Sequence, residues 1–438
     1  MQFKRTTIKR TKRMALLLWL TVALAEYSLG QTAAPHDVVI KNAIVMTATH
    51  GNIQNGSVWI HDGKIRAVGG NIDMPYAATV IDAGGKYLTP GIVDSHSHIA
   101  LDDDVNEATS PVTPHMMMKD AFDYQDKAIY RALAGGVTTS LLLHGSANMI
   151  GGQAVVIKHK YGLTRDEMLF PNAPGSIKFA SGENPKRVYG SRDQLPSTRM
   201  GNFAVQRQAL VEAQDYMREW DSYNEKVKRG DKDSKDATPP KHDLKLEALA
   251  DVLRGKLFVQ IHCYRADEML TEIAMAKEFG YKLRAFHHAL EAYKIADQLA
   301  ANNVGIATFA DWWGYKQEAW DAIPWNAVMA MRKGVKVAIK SDSEDYTRRL
   351  NQEAAKTIRY GGATEEEALE MITINPAWII GVEDRVGSIE VGKDADLVIW
   401  DGYPLSSYGV PEKVFIDGEV YFDRALPGLG MTHYKEGE

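Results

Sequence analysis

The sequence predicts a (β/α)8 TIM-type barrel carrying a small discontinuous β-sandwich built from the N- and C-terminal segments. Three observations predict it. Eight apolar runs alternate with helix-period segments across residues 89–384. Short β-type runs separated by turn signals fill residues 37–88, and β texture returns over residues 385–425.

The barrel strands are expected at residues 91–94, 137–143, 154–157, 177–180, 257–261, 283–286, 304–307 and 335–339. Helical patterns lie between many of them, at 123–134, 266–279, 290–301, 325–333 and 345–360. An open doubly-wound sheet is the alternative, but no Gly-rich dinucleotide loop follows the first strand. Residues 203–254 read as an insertion. Helical stretches at 203–228 and 244–253 flank a charged, proline-containing loop at 229–243. In the small domain, Asn55-Gly56, Asp62-Gly63 and Gly84-Gly85 mark turns between strands. The tail strands 396–400 and 414–421 are expected to complete it.

Residues 1–30 read as a signal peptide. Lys4, Arg5, Lys9, Arg10, Lys12 and Arg13 form a basic head, followed by the apolar run 14–25 and a small-residue exit at Ala23-Leu24-Ala25. That run is shorter than the ~20 residues a bilayer span needs. The expectation is export to the periplasm, or secretion, with no stable membrane insertion after cleavage. Cleavage after Ala25 takes the net charge from −6 to −12, six basic and no acidic residues being lost. Such a surface argues against nucleic-acid partners. Cys263 is the only cysteine, so no intramolecular disulfide forms.

The sharpest chemical signal is Gly91-Ile92-Val93-Asp94-Ser95-His96-Ser97-His98. Alternate side chains of a strand share a face, so His96 and His98 project together and can grip one metal ion. His262, the pair His287-His288, and Asp342 each follow a later apolar run, at the end of the barrel where such enzymes place their chemistry. The residues alone do not choose between His287 and His288. A lysine becomes a metal ligand only as its carbamate, and Lys158 and Lys178 both end apolar runs and are equal candidates on that ground. His144, Asn148, Gln153, Tyr264, Arg265 and the Lys186-Arg187 pair follow strand ends and are candidate substrate contacts. His144, Gln153, Tyr264 and Arg265 lead that group. Trp312-Trp313 either walls the pocket or packs on a helix, packing being favoured.

With these residues in hand, the chain resembles the amidohydrolase superfamily, in its imidazolonepropionase-like and peptidase-like branch. The similarity is carried by Asp62-Gly63-Lys64-Ile65, Thr89-Pro90-Gly91, Asn375-Pro376-Ala377 and the specific stretch 386–398, VGSIEVGKDADLV. The resemblance implies His96, His98, Lys178, His262, His288 and Asp342 as ligands of one or two Zn2+ ions. Lys178, in Ile177-Lys178-Phe179-Ala180-Ser181-Gly182, would take up carbon dioxide as the bridging lysine carbamate of a binuclear centre. His288 is preferred over His287 because Ala289-Leu290-Glu291 follows it. The stretch Gly182-Glu183-Asn184-Pro185-Lys186-Arg187 departs from better-known dipeptidases. The implied activity is hydrolysis of an amide or peptide-like C–N bond in a small molecule by metal-activated water, with Asp342 as both ligand and proton carrier. Two other readings stand beside it: lactone or phosphoester hydrolysis on the same centre, and a catalytically silent periplasmic solute-binding barrel. A homo-oligomer is left open.

Overall fold

The computed structural model describes residues 37–101, 105–230 and 238–426. The expected signal peptide and residues 231–237 of the charged loop lie outside the described residues. Two eight-stranded sheets organise the chain. The first takes β1 (Asp37–Met46), β2 (Asn52–His61), β3 (Lys64–Gly69), β4 (Thr79–Asp82) and β5 (Tyr87–Pro90) from one end of the chain. From the other end come β14 (Leu397–Asp401), β15 (Val410–Ile416) and β16 (Glu419–Asp423). Both β4 and β5 pair in parallel with the same edge of β1, β4 along Val38–Lys41 and β5 at Ile44 and Val45. The irregular pairing after Ile40, with Asn42 at φ 56°, separates the two pairings. Ile40, Val45, Ile60, Leu88, Leu397 and Phe415 form the core of this unit. The tail run expected as one strand is a hairpin, because Asp417 and Gly418 both adopt positive φ, the geometry of a tight β-turn.

The second sheet is the nearly closed barrel: β6 (Ile92–Ser97), β7 (Val137–Leu142), β8 (Ile150–Lys158), β9 (Gly175–Ala180), β10 (Leu257–Cys263), β11 (Leu283–His288), β12 (Gly305–Thr308) and β13 (Val337–Ile339). All eight apolar runs of the sequence became strands. One departs from the all-parallel expectation: β8 runs antiparallel to both β7 and β9. Only residues 143–149 join β7 to β8, and a parallel crossover needs a dozen or more. Between β13 and β6 the seam is closed at the top by Asp342 N–H donating to the His96 carbonyl at 3.2 Å. Lower down, Val93 and Ile339 donate to the Ile372 and Met371 carbonyls. The helix Ile374–Ile380 packs against the lower end of the barrel, where Ala285, Ala307 and Ala338 leave room for it. The insertion contributes the long helix Arg199–Arg229 and the helix Leu244–Leu253 on the outer surface.

Candidate metal centre

β6 brings its two histidines to the top of the barrel as the period-two rule requires. His96 Nε2 lies 3.2 Å from His98 Nε2, and Asp342 Oδ1 lies 2.9 Å from the first and 3.3 Å from the second. Lys178, from β9, places Nζ 3.4 Å from His96 Nε2 and donates to the His144 carbonyl at 2.8 Å. His262 and His288 complete the far side, their rings 4.3 Å apart, with His288 Nδ1 3.8 Å from Asp342 Oδ2. One ligand atom each from His96, His288 and Asp342 fits within 4.8 Å of the others. The six residues that sequence and resemblance singled out therefore share one site.

Adjacent strand residues normally face opposite ways, so only one of His287 and His288 should point inward. Both do. His288 has φ 70°, Ala289 φ 45° and Asp342 φ 56°, left-handed backbone that non-glycine residues adopt at a cost of about 1–3 kcal/mol. This turn at the end of β11 swings His288 into the cluster. His287 stays beneath it, its Nδ1 2.7 Å from His96 Nδ1 and its Nε2 2.9 Å from Gln260 Oε1.

Burial dominates the electrostatics. Desolvation holds His96, His262, His287 and His288 well below the usual imidazole range, so they stay neutral with lone pairs to offer. Lys178 is pulled down by burial to about 7, against the attraction of Asp342, and therefore presents a largely neutral amine above neutrality. Burial would raise Asp342, but the facing charge of Lys340, 3.3 Å away, outweighs it and keeps the carboxylate ionised. Asp94 accepts from Ser341 Oγ, from Ser341 N–H at 3.3 Å and from His96 N–H at 3.2 Å, clamping the backbone on either side of the Asp342 carboxylate. Neutral imidazoles, an ionised carboxylate and a buried amine form a nitrogen–oxygen donor set suited to a zinc-type divalent cation. His262 Nδ1 and His288 Nδ1 are buried without a hydrogen-bond partner, as atoms reserved for such an ion or its surroundings would be.

The two lysine candidates separate cleanly. Because β8 runs backwards, its C-terminal end lies at the opposite mouth of the barrel. Lys158 there meets Asp394 at 2.9 Å, Asp396 at 3.1 Å and Asp417 at 2.5 Å.

Among the expected substrate contacts, His144 and Tyr264 adjoin the centre. Tyr264 stacks on His288 at 4.9 Å between ring centroids, and its hydroxyl lies 3.0 Å from that of Tyr315. His144 is packed on Gly151, where any Cβ would overlap its ring, and donates from Nδ1 to the Gly145 carbonyl. With Asn148, Thr113, His115 and Met116–Met118 it lines a cavity of about 320 Å³. Gln153 instead donates to the Pro114 carbonyl at 3.2 Å and anchors that methionine segment. Arg265 is a correction: its guanidinium is held in two hydrogen bonds by Asp267, 2.9 and 3.0 Å away, on the helix it precedes, and is not turned to the centre. Trp312 stacks on Phe309 at 4.2 Å, and Phe309 lies against His288, so Trp312 belongs to the aromatic wall of the site. Trp313 is exposed.

A solved amidohydrolase of Thermotoga maritima MSB8 is 40% identical, with a TM-score of 0.82, over 88% of this chain and 100% of that one. The chain belongs to the amidohydrolase family. A model of that family matches residues 323–421. The amidohydrolase tasK of Hapsidospora irregularis is 36% identical over 393 residues, covering 84% of this chain, which spans about 40% of that relative's length. The imidazolonepropionase of Geobacillus kaustophilus is 27% identical over 410 residues, 85% of this chain and 88% of that protein. Membership places this amidohydrolase among metal-binding hydrolases that act on carbon–nitrogen bonds.

Sequence reasoning passed over two buried residues of this amidohydrolase's centre, Lys340 and Gln260. Lys340 Nζ sits 3.3 Å from Asp342 Oδ2 and 4.0 Å from the centre of the Phe309 ring. Each precedes a recognised residue by two, Asp342 and His262 respectively, so strand alternation already placed them on the same face. Asn184, whose Nδ2 lies 3.3 Å from His262 Nε2, was read only as part of a subgroup motif.

Proposed function

We propose that this amidohydrolase cleaves an amide or peptide-like C–N bond in a small molecule, at a centre of one or two Zn2+ ions held by His96, His98, Lys178, His262, His288 and Asp342. The observation that carries the reading is the convergence of these six side chains at one mouth of the barrel, with the imidazoles neutral and Asp342 ionised. When bound, zinc-type ions polarise a carbonyl and lower the pKa of water toward ~7.

The chain's own groups do the rest. The Lys178 amine, unprotonated in a good fraction of molecules near neutrality, can add carbon dioxide: its nitrogen forms the C–N bond, one proton leaves, and an anionic carbamate replaces a cation that would repel metal. Asp342 lies within 3.3 Å of both β6 histidines through Oδ1, while Oδ2 faces Lys340, so Oδ1 is placed to take a proton from water and pass it to the leaving nitrogen. Lys340 keeps that carboxylate ionised between turnovers. Tyr264, Phe309 and Trp312 on one flank and the methionine-lined cavity on the other favour apolar or ring-bearing groups beside the scissile bond. Residues 1–30 we assign as an export signal, consistent with a periplasmic enzyme. No helix among the described residues is long and apolar enough to cross a membrane.

The test is metal analysis of the purified protein followed by turnover of dipeptides, N-acyl amino acids and cyclic amides. Zinc-dependent release of an amine from one of these classes is expected. Silence toward all three at full metal loading overturns the proposal.

A further inference from the structure

A chain of buried hydrogen bonds runs from the lower end of the barrel to the centre, and it decides which nitrogen of His96 is free. It begins at the C-terminal turn of the helix Ile374–Ile380, whose last carbonyls have no partner within the helix. Gln260 Nε2 donates to one of them, the Ile379 carbonyl, at 3.0 Å. That bond fixes the side-chain amide, because its oxygen would face another oxygen if reversed. Gln260 Oε1 is thereby aimed at His287 Nε2, 2.9 Å away, and an oxygen there demands an N–H. A neutral imidazole protonated at Nε2 has a lone pair on Nδ1. His287 Nδ1 faces His96 Nδ1 at 2.7 Å, so the proton between them belongs to His96. The last link leaves a lone pair on His96 Nε2, although the Asp342 carboxylate 2.9 Å away would by the same rule draw a proton there. The two bonds behind His96 oppose that pull, and a cation seated between Nε2 and Asp342 Oδ1 would satisfy both.

We infer that His287 and Gln260 are positioning residues that lock His96 in its Nδ1–H tautomer, presenting Nε2 as the metal-binding lone pair. This rests on the reading that His96 holds a metal. All three side chains are fully buried, so no water stands in for a missing link. Metal-bound histidines are commonly oriented by a partner on the other ring nitrogen. His98 uses the Leu143 carbonyl, at 2.6 Å, whereas His96 depends on a second imidazole, which can itself change tautomer. Gln260, pinned by the helix, removes that freedom. It also gives the inward-facing His287 a role distinct from that of His288.

The tautomers can be read directly in metal-free protein labelled with 15N-histidine, with His96→Gln and His287→Gln variants used to assign the signals. The expected result is a proton on Nδ1 of His96 and on Nε2 of His287. A proton on Nε2 of His96 overturns the inference, whether or not the protein hydrolyses anything. Chelator competition with Zn2+ supplies the second arm. Gln260→Met, similar in size but without an acceptor, should weaken Zn2+ binding about 10–100-fold, the usual effect of losing such a partner. Gln260→Glu keeps an oxygen facing His287 and, buried as the neutral acid, can donate its O–H to the Ile379 carbonyl, so it should stay within about threefold of wild type. Equal Zn2+ affinity in a folded Gln260→Met protein counts against the inference. If that variant does not fold, the wild-type tautomer measurement decides. A chain with the expected tautomers that binds no Zn2+ sinks the proposed function and leaves the hydrogen-bonded lock standing.

Discussion

Lys158 and Lys178 each lie at or near the end of an apolar barrel strand, and both are buried, yet they face opposite mouths of the barrel and carry opposite electrostatics. Burial drives both toward the neutral amine. At Lys158 three aspartates from the small sheet and its approach reverse that drive and raise its pKa above the ordinary lysine range. At Lys178 a single carboxylate, Asp342, is shared with Lys340, and burial wins, leaving the amine near 7. Burial alone therefore does not say what a lysine is for. The number of carboxylates facing it separates a cation that joins two sheets from an amine available for chemistry.

Substitutions at the two mouths should accordingly separate activity from stability. The largest loss of activity is expected from Asp342→Asn, which keeps the shape but removes the proton acceptor. Turnover should fall by roughly 10²–10⁴, the usual worth of general acid–base catalysis. Thermal unfolding should change little, because apolar strands build the barrel. Wild-type turnover in a metal-replete assay would falsify the role given to Asp342. Next, Lys178→Met should abolish most activity without lowering stability, whereas Lys158→Met should do the reverse. Removing Lys158 leaves the buried Asp396 facing Asp394 and Asp417 without its cation, while Asp394 keeps Arg385 and Lys64 and Asp417 keeps Lys160. The loss is about 3–5 kcal/mol for a broken buried pair. Denaturant melts of both variants, beside turnover per folded molecule, give the comparison. Equal stability losses would erase the distinction between the mouths.

The same contrast has a pH signature with opposite signs. In metal-free protein the folded pKa of Lys178, about 7, lies below its unfolded value of 10.5. Between those values the unfolded chain binds the extra proton, so this lysine makes stability rise with pH. Lys158 is raised when folded. Its contribution is complete below 10.5 and declines as pH climbs from there toward its folded value. Subtracting the melts of each methionine variant from wild type should give a positive slope for Lys178 from pH 7 to 10 and a flat line for Lys158 over that range. A flat Lys178 difference would show that the amine is not depressed.

Much of this organisation was legible because β-structure announces itself locally. Eight apolar runs gave eight strands, and the two-residue period put His96 beside His98. What escaped the sequence depended on direction and backbone torsion. The run ending at Lys158 looks like any other strand end until the shortness of residues 143–149 is weighed, and that link reverses β8 and carries the lysine to the far mouth. His287 and His288 were inseparable because the choice hangs on a left-handed φ at His288, which no residue type there advertises. Lys340 and Gln260 were within reach of the same alternation rule that found the histidines. They were missed because lysine and glutamine carry no metal signature of their own.

The smallest expected effect concerns the catalytic mouth itself, where proximity in sequence misleads. Tyr264 and Arg265 both follow His262, but the chain turns into the helix Ala266–Phe279 between their side chains. Tyr264 stacks on His288, while Arg265 is bound by Asp267 and partly exposed. An exposed pair of this kind is worth about 0–1 kcal/mol and touches nothing in the centre. Arg265→Ala should therefore leave kcat/KM within about twofold of wild type, with stability almost unchanged. Tyr264→Ala removes a ring packed on a proposed ligand and should cost more in both. A selective rise in KM for carboxylate-bearing substrates in Arg265→Ala would mean that the guanidinium leaves Asp267 to bind them, and would return it to the substrate site.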